Sequence, residues 1–310
     1  MTPRYSETIE RAALGAGAGS LPLLRYIGYL LVAIMALALL AGGVVILIGG
    51  LGSRVAVPGT VRLIAFDDLA PVGGRGGAPR VLMQDLDYGG PCGGCLLVAR
   101  FADGWAEPFW TNDKGYGIGR RRLNLPEGPT VFTVSLPATN PRLDIEAHGS
   151  IWLLPREARM LWVDTAAVVS QAAEAPDGPP AAASEALEAL KHLAVERQVM
   201  YLVTAKAEQY PAVRHRLGAA FAPPGPVLWL GGDQVVQLAL LRRMWPNVEA
   251  VLVCQPALAE AADKARVSHR RVPPAAPQPL ESSAGVDTWS DVVKRLTFQS
   301  GGGTGWGDVK

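Results

Sequence analysis

Asp164 stands at the end of a short apolar run, Met160 to Val163, and a second apolar run follows it. An apolar run of that length ending in a carboxylate predicts a buried parallel strand delivering Asp164 to the carboxyl edge of a sheet. Open α/β sheets bind their ligands at that edge. The plainer reading is an Asp that caps a turn. Three cysteines are too few for a disulfide framework. Cys92 and Cys95 form a CxxC inside GGPCGGCL, which reads as a local bridge or as two plain thiols in a Gly-rich turn, with a redox pair as the third reading. No second pair completes a zinc site, and Cys254 stands alone. His148, His192, His215 and His269 are scattered without ligand spacing. His215, flanked by Arg214 and Arg216, reads as a solvated helix face in preference to a phosphate clamp. No Walker Gly-Lys-Ser/Thr occurs, and no Gly-rich nucleotide fingerprint follows the first α/β strand.

The elements that must hold these residues are laid out along 310 residues, long enough for two modest domains with appendages. With 29 basic and 28 acidic residues the charges nearly cancel, which argues against a nucleic-acid surface. Residues 1–25 form a polar, then small and Gly/Ala-rich segment that reads as disordered. Tyr26 to Gly52 carries no charged residue and is rich in Leu, Val, Ile, Ala and Gly. It is longer than the ~20 residues that cross a bilayer, and too long for a signal-peptide core. A single membrane-spanning helix over 26–52 is expected, with the bilayer as its partner. Arg4, Arg11 and Arg25 precede it and Arg54 and Arg62 follow, so the charge bias puts the soluble part outside the cytoplasm.

From residue 58 to 156 short segments rich in Val, Leu, Ile, Phe and Thr alternate with Gly, Pro, Asn and Asp turns, which predicts an all-β sandwich. TVFTVSL alternates, with Phe132, Val134 and Leu136 on one face. From 158 to 272 the pattern changes to apolar strands interleaved with helical stretches. Ser184 and Asp233 are candidate N-caps, and Pro246 is a stop. Repeated βα units of this length predict a doubly wound parallel sheet. Residues 273–310 read as a Pro/Gly-rich tail with one amphipathic stretch, Thr288 to Leu296.

Two resemblances follow from these residues. TNDKGYG, Thr111 to Gly117, resembles the Thr-Asp-x-x-Gly hairpin of bacterial immunoglobulin-like and transthyretin-like modules, in which the Asp closes the turn and the Gly takes positive φ. A strand ending in Asp, a later strand ending in Thr and two further βα units resemble the haloacid dehalogenase-like hydrolases. VMYLVTAKAEQYPAVRHRL before PPGPVLWL is most similar to their lipin-type phosphatase branch. That family uses a carboxylate nucleophile, a second carboxylate two residues on as general acid, a hydroxyl and a Lys on the phosphoryl oxygens, and acidic Mg²⁺ ligands on the fourth strand. Asp164 matches the nucleophile and Thr204 the phosphate-binding hydroxyl, while Lys206 could reach in but follows the wrong strand. Ala166 stands in place of the general acid, and Cys254 and Gln255 where an Asp is expected. Losing the acid alone costs on the order of 10²–10⁴ in rate. The resemblance then implies a membrane-anchored pseudoenzyme with a remnant site and no cofactor, serving to bind a protein or small molecule. The alternative is a Mg²⁺-dependent phosphatase using Asp164, helped by Lys206 or Asp233, on a phosphorylated lipid or small molecule.

Overall fold

A computed structural model describes residues 60–74, 76–137, 145–169, 184–275 and 285–300. The expected membrane span at 26–52 lies outside them. Among the described residues no helix is long and apolar enough to cross a membrane.

The first half is built from two sheets. Strands β1 (Val61–Phe66), β3 (Arg80–Asp85) and β6 (Tyr116–Ile118) form an antiparallel sheet in the order β1-β3-β6. The second sheet has the order β2-β8-β7-β4-β5, from Asp68–Pro71, Glu146–Leu154, Gly128–Ser135, Leu96–Phe101 and Ala106–Trp110. Its β2–β8 pair is parallel and the rest antiparallel. Val61, Leu63, Ala65, Val81 and Met83 of the first sheet share a core with Leu97, Phe132, Val134 and Ile151 of the second. The expected alternation of β7 is present, with Phe132 and Val134 pointing into that core. In the Thr111–Gly117 hairpin the turn is closed by Asn112, not by Asp113. Its Oδ1 accepts from the N–H groups of Lys114 and Tyr116, both at 3.0 Å. Gly115 takes the positive φ, at 75°.

The second half is a five-stranded parallel sheet, ordered β11-β10-β9-β12-β13. Its strands are β9 (Met160–Asp164), β10 (Gln198–Val203), β11 (Val227–Trp229), β12 (Val248–Val253) and β13 (His269–Arg271). The central strands are buried on both faces, which is why they read as unbroken apolar runs. Leu161, Val163, Tyr201 and Leu252 face a core shared with helices α1 (Ser184–Leu193), α2 (Tyr210–Ala219) and α5 (Trp289–Ser300). Trp162, Met200, Leu202 and Val251 face α3 (Gln234–Met244) and α4 (Pro256–Lys264) on the other side. Asp233 caps α3 as expected, its carboxylate accepting from Val236 N–H at 3.1 Å.

The α/β core does not end at residue 272. Trp289, Val292 and Leu296 of α5 are buried with the residues of α1. The buried Arg197 donates to Leu296 O at 2.9 Å and to Glu249 Oε2 at 2.6 Å, which ties α5 to the sheet. The amphipathic stretch is therefore a structural helix, because its apolar stripe covers α1.

The two halves meet along the back of β1. Val61, Leu63 and Ala65 enter the sandwich core, while Ile64 and Phe66 enter the α/β core. At this seam Asp67, whose side chain is 2% exposed, is surrounded by donors. Ser150 N–H reaches Oδ1 at 3.0 Å, Val227 N–H reaches Oδ2 at 3.1 Å, and the Arg214 guanidinium lies 3.4 Å away. Arg214 also donates to His148 O and to Ser150 Oγ, and Tyr210 Oη accepts from Asp67 N–H at 3.0 Å. Arg214 is thus tied into the seam, while His215 beside it is exposed, as a solvated helix face would have it. Removing one partner of such a buried, hydrogen-bonded charge costs about 3–5 kcal/mol. Asp67→Ala is expected to lose that much in urea unfolding of the full chain and to split its single transition into two.

Candidate functional site

The strand order reverses at β9, whose neighbours are β10 and β12, and Asp164 sits at its carboxyl end. This is the crevice at which a doubly wound sheet would hold a ligand. Asp164 is 0% exposed. Its Oδ1 accepts from Ala166 N–H at 3.1 Å, capping the 3₁₀ turn Thr165–Ala167. Its Oδ2 accepts from Cys254 N–H at 3.3 Å, Gln255 N–H at 3.2 Å and the Cys254 thiol at 3.2 Å. The carboxylate therefore caps its own turn and also bridges from β9 to the loop that opens α4. Burial pushes its pKa up, and the four donors only partly offset that. Burial also raises the Cys254 thiol, and the adjacent carboxylate adds to the effect, so Cys254 acts as a proton-bearing donor.

A second layer closes the crevice. The chain after β13 continues beside β12, with Val272 N–H on Val253 O, and then reaches the turn, where Ala275 N–H donates to Ala166 O at 2.9 Å. The Ala166 position, which a general acid would need to occupy, is pinned by the Asp164 carboxylate on its N–H and by the Ala275 backbone on its carbonyl.

Of the other predicted residues, Thr204 lies just past the end of β10, beside β9. Its Oγ1 is buried and has no hydrogen-bond partner among the described residues. Lys206 is exposed and lies elsewhere, in a groove of about 470 Å³ that it lines with Lys114, Glu208 and Trp229. The structure does not bring Lys206 to Asp164. Gln237, in the first turn of α3, donates to Gly231 O in the loop before that helix.

No family model matches this chain, and no curated protein does. The chemistry therefore rests on the geometry alone. The Mg²⁺ ion implied by the hydrolase resemblance wants several charged oxygens. Asp164 offers one carboxylate whose two oxygens are already engaged, and its neighbours across the crevice are a thiol and an amide side chain. Among the described residues no three His, Cys, Asp or Glu side chains gather. The residues present do not fit the ion.

A cleft that sequence patterns do not point to opens instead where β1 and β6 meet the end of β11. It encloses about 530 Å³. The Trp229 indole stacks on Phe66 at 5.0 Å and on Tyr116 at 6.2 Å, within 18° of parallel. The Trp229 N–H donates to Ala205 O at 3.0 Å, which fixes the ring. Ile118 and Leu240 form an apolar rim, and the Asp68–Arg80 ion pair, at 3.0 Å, is the polar edge. Such volume, apolar lining and a few polar groups at a module junction suit a small ligand.

Asp164→Asn places an amide N–H₂ against groups that are themselves donors. It is expected to cost about 1–3 kcal/mol of stability. Burial holds the folded carboxyl above its ordinary 3.8, so the folded state binds that proton more tightly than the unfolded chain does. This contribution is present below 3.8 and is lost as pH rises through the folded value. The stability gap between wild type and Asp164→Asn is expected to narrow from acid toward neutral pH, as read from urea midpoints. A gap that widens would contradict the burial argument.

Proposed function

We propose that the soluble part is a non-catalytic binding module, held at a membrane by residues 26–52. In this reading the α/β half is a haloacid dehalogenase-like scaffold with its reaction site closed, and the sandwich is an immunoglobulin-like partner. The arginine balance across the span, three before it and two after, supports a module outside the cytoplasm. One observation carries the reading: Asp164 is fully buried, with donors of the protein on both its oxygens. A nucleophilic carboxylate needs open approach to phosphorus, which full burial denies. Binding is placed at the cleft beside Trp229, for a small ligand with a flat or aliphatic apolar body and one polar group to meet Asp68 or Arg80.

One feature favours a second reading, a phosphatase. The Thr204 hydroxyl is buried and has no partner among the described residues, as suits a group that binds a phosphoryl oxygen. Hydrolysis of a generic phosphomonoester by the full chain with Mg²⁺, beside Asp164→Asn, separates the two. No turnover by either protein, together with a lower melting midpoint for the variant, is expected. Turnover that requires Mg²⁺ and vanishes in Asp164→Asn would establish the phosphatase.

A further inference from the structure

Cys92 and Cys95 take no part in the reading above. They lie in the turn from β3 to β4, Pro91-Cys92-Gly93-Gly94-Cys95, with both thiols buried among the residues of the sandwich core. Both are free thiols, and their sulfurs are 2.8 Å apart, so a small closing movement would bring them to the ~2.05 Å of a disulfide. The backbone on either side is held firmly. The Thr111 hydroxyl donates to Cys92 O at 2.8 Å and accepts from Cys95 N–H at 2.9 Å. Thr111 N–H donates to Cys95 O, Gly94 N–H to Thr111 O and Cys92 N–H to Met83 O, each at 3.0 Å. Between the cysteines, Gly94 has φ 69°, and a Cβ on Gly93 would lie 2.8 Å from Asn112 O. The turn thus fits this one sequence, and it leaves the two sulfurs facing each other.

Three uses of such a pair can be weighed. A metal site lacks further ligands, since no group of three suitable side chains occurs among the described residues. A redox-active pair needs an accessible thiol with a lowered pKa. Here burial, together with the hydrogen bond and charge of Cys95, pushes the Cys92 thiol up to about 12. A covalent bridge remains, and the geometry suits it.

We propose that Cys92 and Cys95 are joined by a structural disulfide that locks the β3–β4 turn onto the Thr111 hairpin. The bond forms by thiol–disulfide exchange with an oxidised low-molecular-weight or protein disulfide. One cysteine thiolate attacks that disulfide, and the other then displaces the mixed disulfide. Two S–H groups give one S–S bond, and the two electrons and two protons leave in the oxidant, which becomes two thiols. Exchange precedes closure of the sandwich, because the folded core shields both sulfurs. The bridge also matches a soluble part outside the cytoplasm, where thiols oxidise, but it does not depend on the fate of Asp164.

The test unfolds the purified full chain and refolds it in glutathione mixtures from reduced to oxidised, starting from both reduced and oxidised protein. The protein is then unfolded, alkylated and weighed. At the oxidised end one alkylatable thiol is expected, lost in Cys254→Ser, with a peptide map joining Cys92 to Cys95. Three alkylatable thiols throughout, or glutathione adducts on Cys92 or Cys95, would overturn the proposal. The oxidised protein is also expected to melt several degrees above the reduced one. Equal midpoints would overturn the structural role.

Discussion

A carboxylate taken out of water has to be met by donors, and two such carboxylates organise this protein. Asp67 lies on the seam between the halves, where a backbone N–H from each half and the Arg214 guanidinium converge on it. Asp164 lies at the centre of the parallel sheet, where the first amides of the α4 segment and the Cys254 thiol surround it. In each case low exposure makes the donors obligatory, since an unmatched buried charge is far more costly than a matched one is favourable. The burial that makes these donors obligatory at Asp164 also denies a substrate open approach to the carboxylate.

The position of a residue and its availability are therefore separate matters. Asp164 occupies the place where a doubly wound sheet does its chemistry, and the turn after β9 and the chain after β13 both cover it. Lys206 is available but stands in a different groove. An open cleft lies two strands over, at the edge strand β11, where aromatic rings from both halves stack. A scaffold that had given up the sheet-centre site would still offer this junction, because the junction exists only when the two halves are locked together.

Much of the architecture is legible in the residues. Strands β9, β10 and β12 announce themselves as apolar runs because both their faces are covered, and the N-cap at Asp233 and the stop at Pro246 bound α3. What is not legible depends on contacts distant in sequence. Strands β2 and β13, DLAP and HRR, are too short and polar to stand out. The second buried face of VRLIAF has meaning only once the α/β half is in place. The Thr288–Leu296 stripe is visible, but its Pro-rich approach argues for a tail, and only the partner surface on α1 turns it into core. The pairing of Asp164 with Cys254 follows from β9 lying beside β12. Asp67 follows VRLIAF with nothing in the sequence to mark the network around it.

The most direct test of the account is an attempt to phosphorylate Asp164. The full chain would be incubated with Mg²⁺ and acetyl phosphate, quenched in acid and weighed intact, with Asp164→Asn alongside. The account predicts that neither protein gains a phosphoryl group. A phosphoryl gain in the wild type that is absent from Asp164→Asn would contradict it, for the carboxylate would then be free to react and the closed site would be an enzyme at rest.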